Sequence, residues 1–360
     1  MPELVRLGWT DDFAAAFAPH ASAGLVPGRV SLEHNQIYRV LTADGEVLAE
    51  ATGKMKHEAA GRQELPAVGD WVALRPAAAG ERTTIQAILP RRTQFSRKVA
   101  GRETLEQVLA ANVDTVLLVA GLDHDPKARS LERYLVLTKR SGAQPVVVLN
   151  KTDVIHPEDL ALALEDVRAV VGDTPVHTVS ARSGAGMEAL QQYLQEGKTV
   201  ALLGPSGAGK STIVNRLAGN EELATGDVRA RDLRGRHTSV HRHLIVLAQG
   251  GLMIDTPGLR ELQLWEPDAA VDDTFDDISA LSANCRFRDC RHDREPGCAV
   301  KAAVEAQTIA ADRYDSYLTL QREREAFEKR TDERAQLEAK RQTRIRQNAY
   351  RSFQKGRGKA

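Results

Sequence analysis

The chain has 360 residues, and its 49 basic and 49 acidic side chains give a formal net charge of zero. The length exceeds that of one ordinary domain, and 42% hydrophobic with 27% charged residues is typical of a soluble globular protein with two or three domains. The balanced charge excludes a chain that is strongly basic throughout, although basic residues can still cluster locally.

The sequence gives no sign of export or of insertion into a membrane. The first residues, "MPELVRLGWTDDF", carry acids where a signal peptide is apolar, and the apolar run 116–122 is too short to span a bilayer. All three cysteines fall within one short window, which argues against a disulfide framework. We expect a cytoplasmic protein, and a monomer by default because no signal for self-association stands out.

Residues 1–104 predict a small β-barrel domain with an N-terminal extension. Apolar and polar residues alternate in "GRVSLEHNQIYRVLTADGEVLAEATGKMKH", and "ADGE" is typical of a hairpin turn. Five or so short strands without helices favour a barrel of the oligonucleotide-binding (OB) type. The pattern fits a structural domain without a ligand as well as it fits an RNA-binding one.

Residues 105–272 predict an α/β domain with a largely parallel sheet. The segments "VDTVLLVAGL", "QPVVVLN", "TPVHTVS", "KTVALLG" and "GGLMIDTPG" read as strands. Helical stretches such as 160–171 and 187–195 lie between them, and this alternation is typical of helices covering a buried parallel sheet.

The motif "GPSGAGKS" follows one of these strands and precedes the helical run "STIVNRLAG", which is the context of a phosphate-binding loop. Its glycines allow backbone N–H groups to surround phosphate oxygens, and the following helix directs its positive end at the same charge. Lys210 is expected to reach the β- and γ-phosphates and Ser211 to hold Mg²⁺. The predicted phosphate-binding residues are Gly204, Pro205, Ser206, Gly207, Ala208, Gly209, Lys210, Ser211 and Thr212.

The motif "NKTD", comprising Asn150, Lys151, Thr152 and Asp153, predicts that the base is guanine. The Asp153 carboxylate can accept hydrogen bonds from the guanine ring N–H and the exocyclic amine, a donor pair that adenine lacks. Asn150 can tie this loop to the phosphate loop. After the next strand, "SAR" begins at Ser180 and puts the Ala181 N–H where it can contact the guanine carbonyl oxygen. Alone, "NKTD" is compatible with a surface turn, but its pairing with a phosphate loop in one α/β domain favours guanine recognition. The "SAR" signal is weak by itself and is supported by its position after the next strand.

The motif "DTPG" predicts the magnesium and γ-phosphate contacts. Asp255 would bind Mg²⁺ through water, and the Gly258 N–H would sense the γ-phosphate. A switch hydroxyl must complete the magnesium coordination, and Thr238 and Ser239 in "RGRHTSVHRHL" are both candidates.

One common catalytic side chain is missing after this motif. Leu259 stands where many GTPases carry a glutamine that orients the attacking water. His237 is the candidate for that role, although it is also compatible with an exposed loop histidine. Either interpretation predicts slow intrinsic hydrolysis that needs an activating partner.

The guanine motif precedes the phosphate loop, so the usual order of GTPase motifs is circularly permuted. Because native termini often lie close together, such a rotation can preserve the fold. After "DTPGLRELQLW" the chain enters a separate C-terminal region. We therefore hypothesise that the permutation links the second switch directly to that region.

Residues 273–360 predict a zinc-binding, helix-rich domain with a basic C-terminal helix or tail. Cys285, Cys290, His292 and Cys298 have the spacing C-x4-C-x-H-x5-C and form a closed ligand set for one structural Zn²⁺. Free thiols or a catalytic cysteine would leave the clustering unexplained. Residues 321–360 contain 13 Lys or Arg and 6 Asp or Glu. This tail is either a solvated, disordered end or an RNA-binding segment, and Tyr350 and Phe353 among its charges favour RNA.

Taken together, these motifs resemble those of the ribosome small-subunit-dependent GTPase A family (RsgA or YjeQ). The segments that carry the resemblance are "ANVDTVLLV", "NKTD", "GPSGAGKST", "GRHTS", "IDTPGLRE" and "CRFRDCRHDREPGCAV". The resemblance implies an OB-type barrel, a permuted GTPase domain, zinc on Cys285, Cys290, His292 and Cys298, and His237 as the catalytic histidine. The family usually has a second threonine where this chain has Ser239, which leaves the switch ligand open.

The resemblance further implies a GTPase that docks on the rRNA of the small (30S) ribosomal subunit late in maturation, alongside other assembly factors. The subunit would stimulate GTP hydrolysis, and the protein would leave afterwards. The alternative is an RNA-binding zinc protein that uses guanine nucleotide only as a structural ligand.

Overall fold

The computed structural model describes residues 2–77, 82–99, 105–123, 128–219, 243–255, 274–293 and 295–322. These residues belong to two compact units, one within Met1–Gln263 and the other within Leu264–Ala360. The first unit contains a β-barrel and an α/β domain, and the second contains the cysteine cluster. No helix in the described ranges is long and apolar enough to cross a membrane.

The barrel is a closed sheet of five strands in the order β1-β2-β3-β5-β4, with β4 pairing back onto β1. The strands are β1 (Val26–His34), β2 (Ile37–Thr42), β3 (Gly45–Ala51), β4 (Trp71–Arg75) and β5 (Thr83–Ile88). Inward-facing side chains such as Val30, Val40 and Ile85 are fully buried. Closure removes the free edges that an open sheet would expose. The OB-type barrel is confirmed, and so is its "ADGE" turn between β2 and β3.

The expectation of a helix-free N-terminal region is wrong. The chain begins with α1 (Pro2–Arg6) and α2 (Asp11–Ala21), and α3 (Gly53–Glu58) follows β3. Phe13 and Phe17, four residues apart on α2, face the same way and are buried. The Trp71 ring at the start of β4 lies 5.9 Å from that of Phe13. These aromatic contacts pack α2 against the barrel.

A hairpin of β6 (Gln94–Val99) and β7 (Leu105–Ala111) leads from the barrel into the α/β domain. There the strands run in the order β10-β9-β8-β11-β13-β12, and all except β12 are parallel. They are β8 (Thr115–Gly121), β9 (Gln144–Asn150), β10 (Val176–Val179), β11 (Thr199–Leu203), β12 (His243–Val246) and β13 (Leu252–Asp255). The helices are α4 (Ala128–Ser141), α5 (Pro157–Val171) and α6 (Lys210–Leu217), with a 3-10 helix at Met187–Tyr193. The largely parallel sheet is confirmed.

The barrel and the α/β domain share one continuous sheet. Leu32 of β1 pairs with His243 of β12, which makes an eleven-stranded sheet across both. The buried Arg29 guanidinium, 1% exposed, reinforces this junction by donating to the carbonyl oxygens of Leu7, Gly69 and Asn112. Burial lowers the pKa of Arg29 to about 10, so the side chain is still charged at neutral pH.

The second unit is helical around the cysteines. Its helices are α7 (Asp276–Ser282) and α8 (Ala299–Glu305), and residues 311–322 are also helical. Phe275, Ile278 and Val300 are fully buried. Arg313 donates to the Asp277 carboxylate at 2.8 and 2.9 Å, which ties residues 311–322 to α7.

Candidate nucleotide site and metal centre

The predicted phosphate loop connects β11 to α6 at the carboxyl end of the parallel sheet. Gly204, Gly207 and Gly209 all have positive φ angles, of 150°, 82° and 91°. A Cβ atom on Gly204 would lie 2.1 Å from the Val119 carbonyl oxygen, so the close packing of this loop on β8 requires glycine. These positive φ angles are the backbone conformations that glycine supplies in a phosphate-binding loop.

Lys210 is the first residue of α6, and its ammonium group lies over the phosphate loop. Nζ donates to the carbonyl oxygens of Gly204 at 2.7 Å and Pro205 at 2.6 Å. These bonds hold the positive charge where the N-terminal end of the helix also favours an anion. Ser211 is exposed and Thr212 is half-buried in the same turn, and Ser206 is exposed within the loop.

Asn150, the last residue of β9, connects the three predicted nucleotide loops. Its side chain is buried, with Nδ2 donating to the Ala208 carbonyl oxygen at 2.9 Å. Its Oδ1 accepts from the Ala181 N–H at 3.0 Å. Ala181 was predicted to contact guanine through this N–H, which here donates to Asn150. A Cβ on Gly209 would lie 2.2 Å from Asn150 Nδ2, so the contact also requires glycine at that position.

Asp153 presents an exposed carboxylate beside the loop that follows β10. Ser180 Oγ donates to Asp153 Oδ1 at 2.6 Å. This hydrogen bond is the main reason why the pKa of Asp153 lies below its usual range. The carboxylate therefore stays ionised, and able to accept hydrogen bonds, to a lower pH than an ordinary aspartate.

Lys151 adopts a left-handed backbone conformation, with φ at 74°, and its side chain points to the end of β8. Nζ donates to Asp123 Oδ2 at 2.5 Å. Sequence reasoning missed Asp123, because nothing local to "GLDHDPKA" links it to the loop containing Lys151. Thr152 is half-buried in the short 3-10 helix Thr152–Val154 that follows.

The predicted switch residues are only partly covered by the structure. Asp255 ends β13, and the parallel pairing of Ala201 with Ile254 puts that end beside the strand that leads into the phosphate loop. His237, Thr238, Ser239 and Gly258 lie outside the described residues, as does the tail from residue 323.

In the second unit, Cys285, Cys290, His292 and Cys298 converge with their ligand atoms all within 4.8 Å of one another. The sulfurs of Cys285 and Cys298 are 3.9 Å apart, and His292 Nδ1 lies 3.5 and 3.4 Å from them. Four tetrahedral ligands at zinc–sulfur distances of about 2.3 Å would place two sulfurs about 3.8 Å apart. The set therefore fits a single tetrahedral ion.

The surrounding backbone fixes this set in place. His292 has a positive φ of 62°, and its carbonyl oxygen accepts from the Tyr314 hydroxyl. Burial lowers the pKa of His292, which favours the neutral imidazole that binds metals. The Glu295 carboxylate accepts from the N–H groups of Arg291 and Asp293 and closes the loop.

Comparison with known proteins places the chain in a family. The family model described as RsgA GTPase matches residues 88–265. A protein of Opitutus terrae named "Small ribosomal subunit biogenesis GTPase RsgA" is 52% identical over 338 residues, covering 91% of this chain and 92% of the relative. The chain belongs to the RsgA GTPase family. A relative of the same name from Syntrophotalea carbinolica is 44% identical, with 88% of each chain covered.

Two solved structures have a similar fold. "Crystal structure of YjeQ from Thermotoga maritima" matches with a TM-score of 0.61 and 27% identity, covering 82% of this chain and 97% of that one. YloQ, described as a circularly permuted GTPase, matches in fold with a TM-score of 0.58 at 24% identity, covering 85% and 96%. A model described as ABC transporter also matches residues 187–348, a range that includes the phosphate loop such proteins share. The predicted family, the permuted GTPase fold and GTP hydrolysis as the activity are confirmed.

Proposed function

We propose that this protein is a cytoplasmic GTPase that binds the small ribosomal subunit, acts late in its maturation and hydrolyses GTP when the subunit stimulates it. The observation that carries the proposal is the convergence of three loops on Asn150 in a chain 52% identical to a small ribosomal subunit biogenesis GTPase. Docking through rRNA follows from the same relationship, and the OB-type barrel and the basic tail supply surfaces of suitable chemistry.

The guanine base is recognised by Asp153, whose carboxylate is positioned by the hydrogen bond from Ser180 Oγ. Asn150 holds the Ala181 backbone close to the same pocket, and the Lys151 stem lies along the base. Adenine would leave the Asp153 carboxylate without its pair of donors, so GTP is preferred over ATP.

The phosphates are held by the backbone N–H groups of the phosphate loop, by Lys210 and by the N-terminal turn of α6. A GTPase uses Mg²⁺ with its nucleotide. We propose Ser211, Asp255 and one of Thr238 or Ser239 as its ligands, and the ion would neutralise charge on the phosphate oxygens. The Gly258 N–H would sense the γ-phosphate.

His237 is our proposal for the residue that orients the attacking water, because Leu259 cannot do so. The Cys285, Cys290, His292 and Cys298 set would hold one structural Zn²⁺, which leaves no open position for zinc chemistry. The permuted chain passes from "DTPG" directly into this second unit of the protein. Loss of the γ-phosphate would therefore change the orientation of the second unit, and the protein would then leave the ribosomal subunit.

Substitution of Lys210 tests this assignment. Phosphate release by the Lys210→Ala variant is measured with and without purified small ribosomal subunits. Since Lys210 is assigned to the β- and γ-phosphates, subunit-dependent release is expected to be lost. Lys198→Ala serves as the matched control, because Lys198 is exposed and its ammonium lies 3.8 Å from the Asp114 carboxylate, away from the phosphate loop. Release that survives in Lys210→Ala would show that the nucleotide site has been assigned wrongly.

A further inference from the structure

Arg216 connects the phosphate-loop helix to the loop that follows β10. It lies in the last turn of α6, six residues after Lys210. Its Nε donates to the Ala181 carbonyl oxygen at 3.2 Å and its Nη2 donates to the Arg182 carbonyl oxygen at 2.7 Å. One guanidinium therefore bridges two consecutive peptide groups of that loop.

A glycine of this loop lies beside the Arg216 guanidinium. Gly184 has φ at 93°, and a Cβ there would lie 3.4 Å from the guanidinium carbon of Arg216. The loop also closes on itself, because Ser180 accepts from the Gly184 N–H through its carbonyl oxygen at 2.7 Å and from the Ser183 N–H through Oγ at 3.1 Å. Arg216 therefore holds an already formed turn from the outside.

Ala181 is thus held on both sides. Its N–H donates to Asn150 Oδ1, and its carbonyl oxygen accepts from Arg216. Asn150 ends strand β9 and begins the guanine motif, whereas Arg216 belongs to the helix that begins at Lys210. The position of this peptide, and of Ser180 beside it, depends on both elements.

The chemistry of the contact favours arginine. A guanidinium presents several N–H donors in a fixed plane, so it can serve two neighbouring carbonyl oxygens at once, whereas an ammonium is a point charge on a flexible stem. Charged donors also form stronger hydrogen bonds to carbonyl oxygens than neutral donors do.

We infer that Arg216 is a positioning residue for guanine recognition: it fixes the base-reading loop at Ser180–Arg182 to the helix that carries the phosphate lysine. The inference rests on the proposed nucleotide site. Its consequence is that loss of Arg216 reduces the preference for guanine over adenine more than it reduces the affinity for the phosphates.

The test compares Arg216→Ala and Arg216→Lys with the wild-type full chain. Affinities for GDP and for ADP, up to millimolar concentration, are measured by competition against a fluorescently labelled GDP. Arg168→Ala is the matched control, because Arg168 is an exposed arginine on α5 of the same domain. Melting temperatures without nucleotide establish that each variant is folded.

Arg216→Ala is expected to raise the Kd for GDP about tenfold and to leave the Kd for ADP unchanged. A tenfold change is the size expected when one charge-assisted hydrogen bond is lost. Arg216→Lys is expected to fall between Arg216→Ala and the wild type. Equal weakening of GDP and ADP binding would mean that Arg216 only supports α6, and no change in either would also overturn the inference. A wild-type chain without preference for GDP would instead contradict the proposed nucleotide site itself.

Discussion

Replacing Asn150 with alanine should weaken both the fold and nucleotide binding. The change removes two hydrogen bonds, at 2.9 and 3.0 Å, and leaves the Ala208 carbonyl oxygen and the Ala181 N–H without their partner. Both residues are 3% exposed, so water replaces the lost contacts poorly. A buried polar group without its partner costs about 1–3 kcal/mol, so we expect Asn150→Ala to lower the free energy of unfolding by about 2–4 kcal/mol.

Thermal unfolding and GDP binding measure the two consequences. The melting temperature should fall by roughly 5–15 °C, at roughly 2–4 °C per kcal/mol for a unit of this size. GDP binding should weaken by about tenfold or more, because the phosphate loop and the loop after β10 lose their common anchor. Gln192→Ala is the control, since its amide is exposed and donates to the Ala189 carbonyl oxygen three residues away. A variant with wild-type melting and wild-type GDP affinity would show that Asn150 does not anchor these two loops.

Three further predictions concern other parts of the molecule. In Ser180→Ala, the pKa of Asp153 should rise because the hydrogen bond that most stabilises its carboxylate is lost. GDP binding needs this carboxylate in its ionised form, so on acidification the variant should lose GDP binding at a higher pH than the wild type does. Identical pH profiles of GDP binding for the variant and the wild type would contradict this. Arg29→Met should lower the free energy of unfolding by about 3–5 kcal/mol in urea denaturation, because three buried carbonyl oxygens lose a charged donor. A change near zero would show that Arg29 does not stabilise the junction between the barrel and the α/β domain. Cys290→Ser should lose the proposed Zn²⁺, measured by atomic emission, together with the melting transition of the second unit. A metal content equal to that of the wild type would exclude Cys290 as a ligand.

The sequence predicted those parts of the molecule whose chemistry is local. The phosphate loop, "NKTD" and the cysteine cluster were visible because each function needs particular residue types at short spacing. The strands of the α/β domain were visible as buried apolar runs, and "QPVVVLN" coincides with β9 (Gln144–Asn150). The proposed domain boundaries at 104/105 and 272/273 stay predictions.

Contacts between distant segments could not be predicted in this way. Arg29 and Asn112 are 83 positions apart, and no pattern near either residue shows that one guanidinium joins the barrel to the α/β domain. The same holds for Asp123 with Lys151 and for Arg216 with Ala181. Helix α2 could have been predicted, because Phe13 and Phe17 in "DDFAAAFAPHA" have the i, i+4 spacing of a helix. The prediction of strands for the whole N-terminal region did not include this signal.

The most direct test of the account is phosphate release from GTP and from ATP, with and without purified small ribosomal subunits. We expect slow release from GTP by the protein alone, strong stimulation by the subunit, and little release from ATP under either condition. Tight RNA binding without stimulated release would contradict it, and would make guanine nucleotide a structural ligand of an RNA-binding zinc protein.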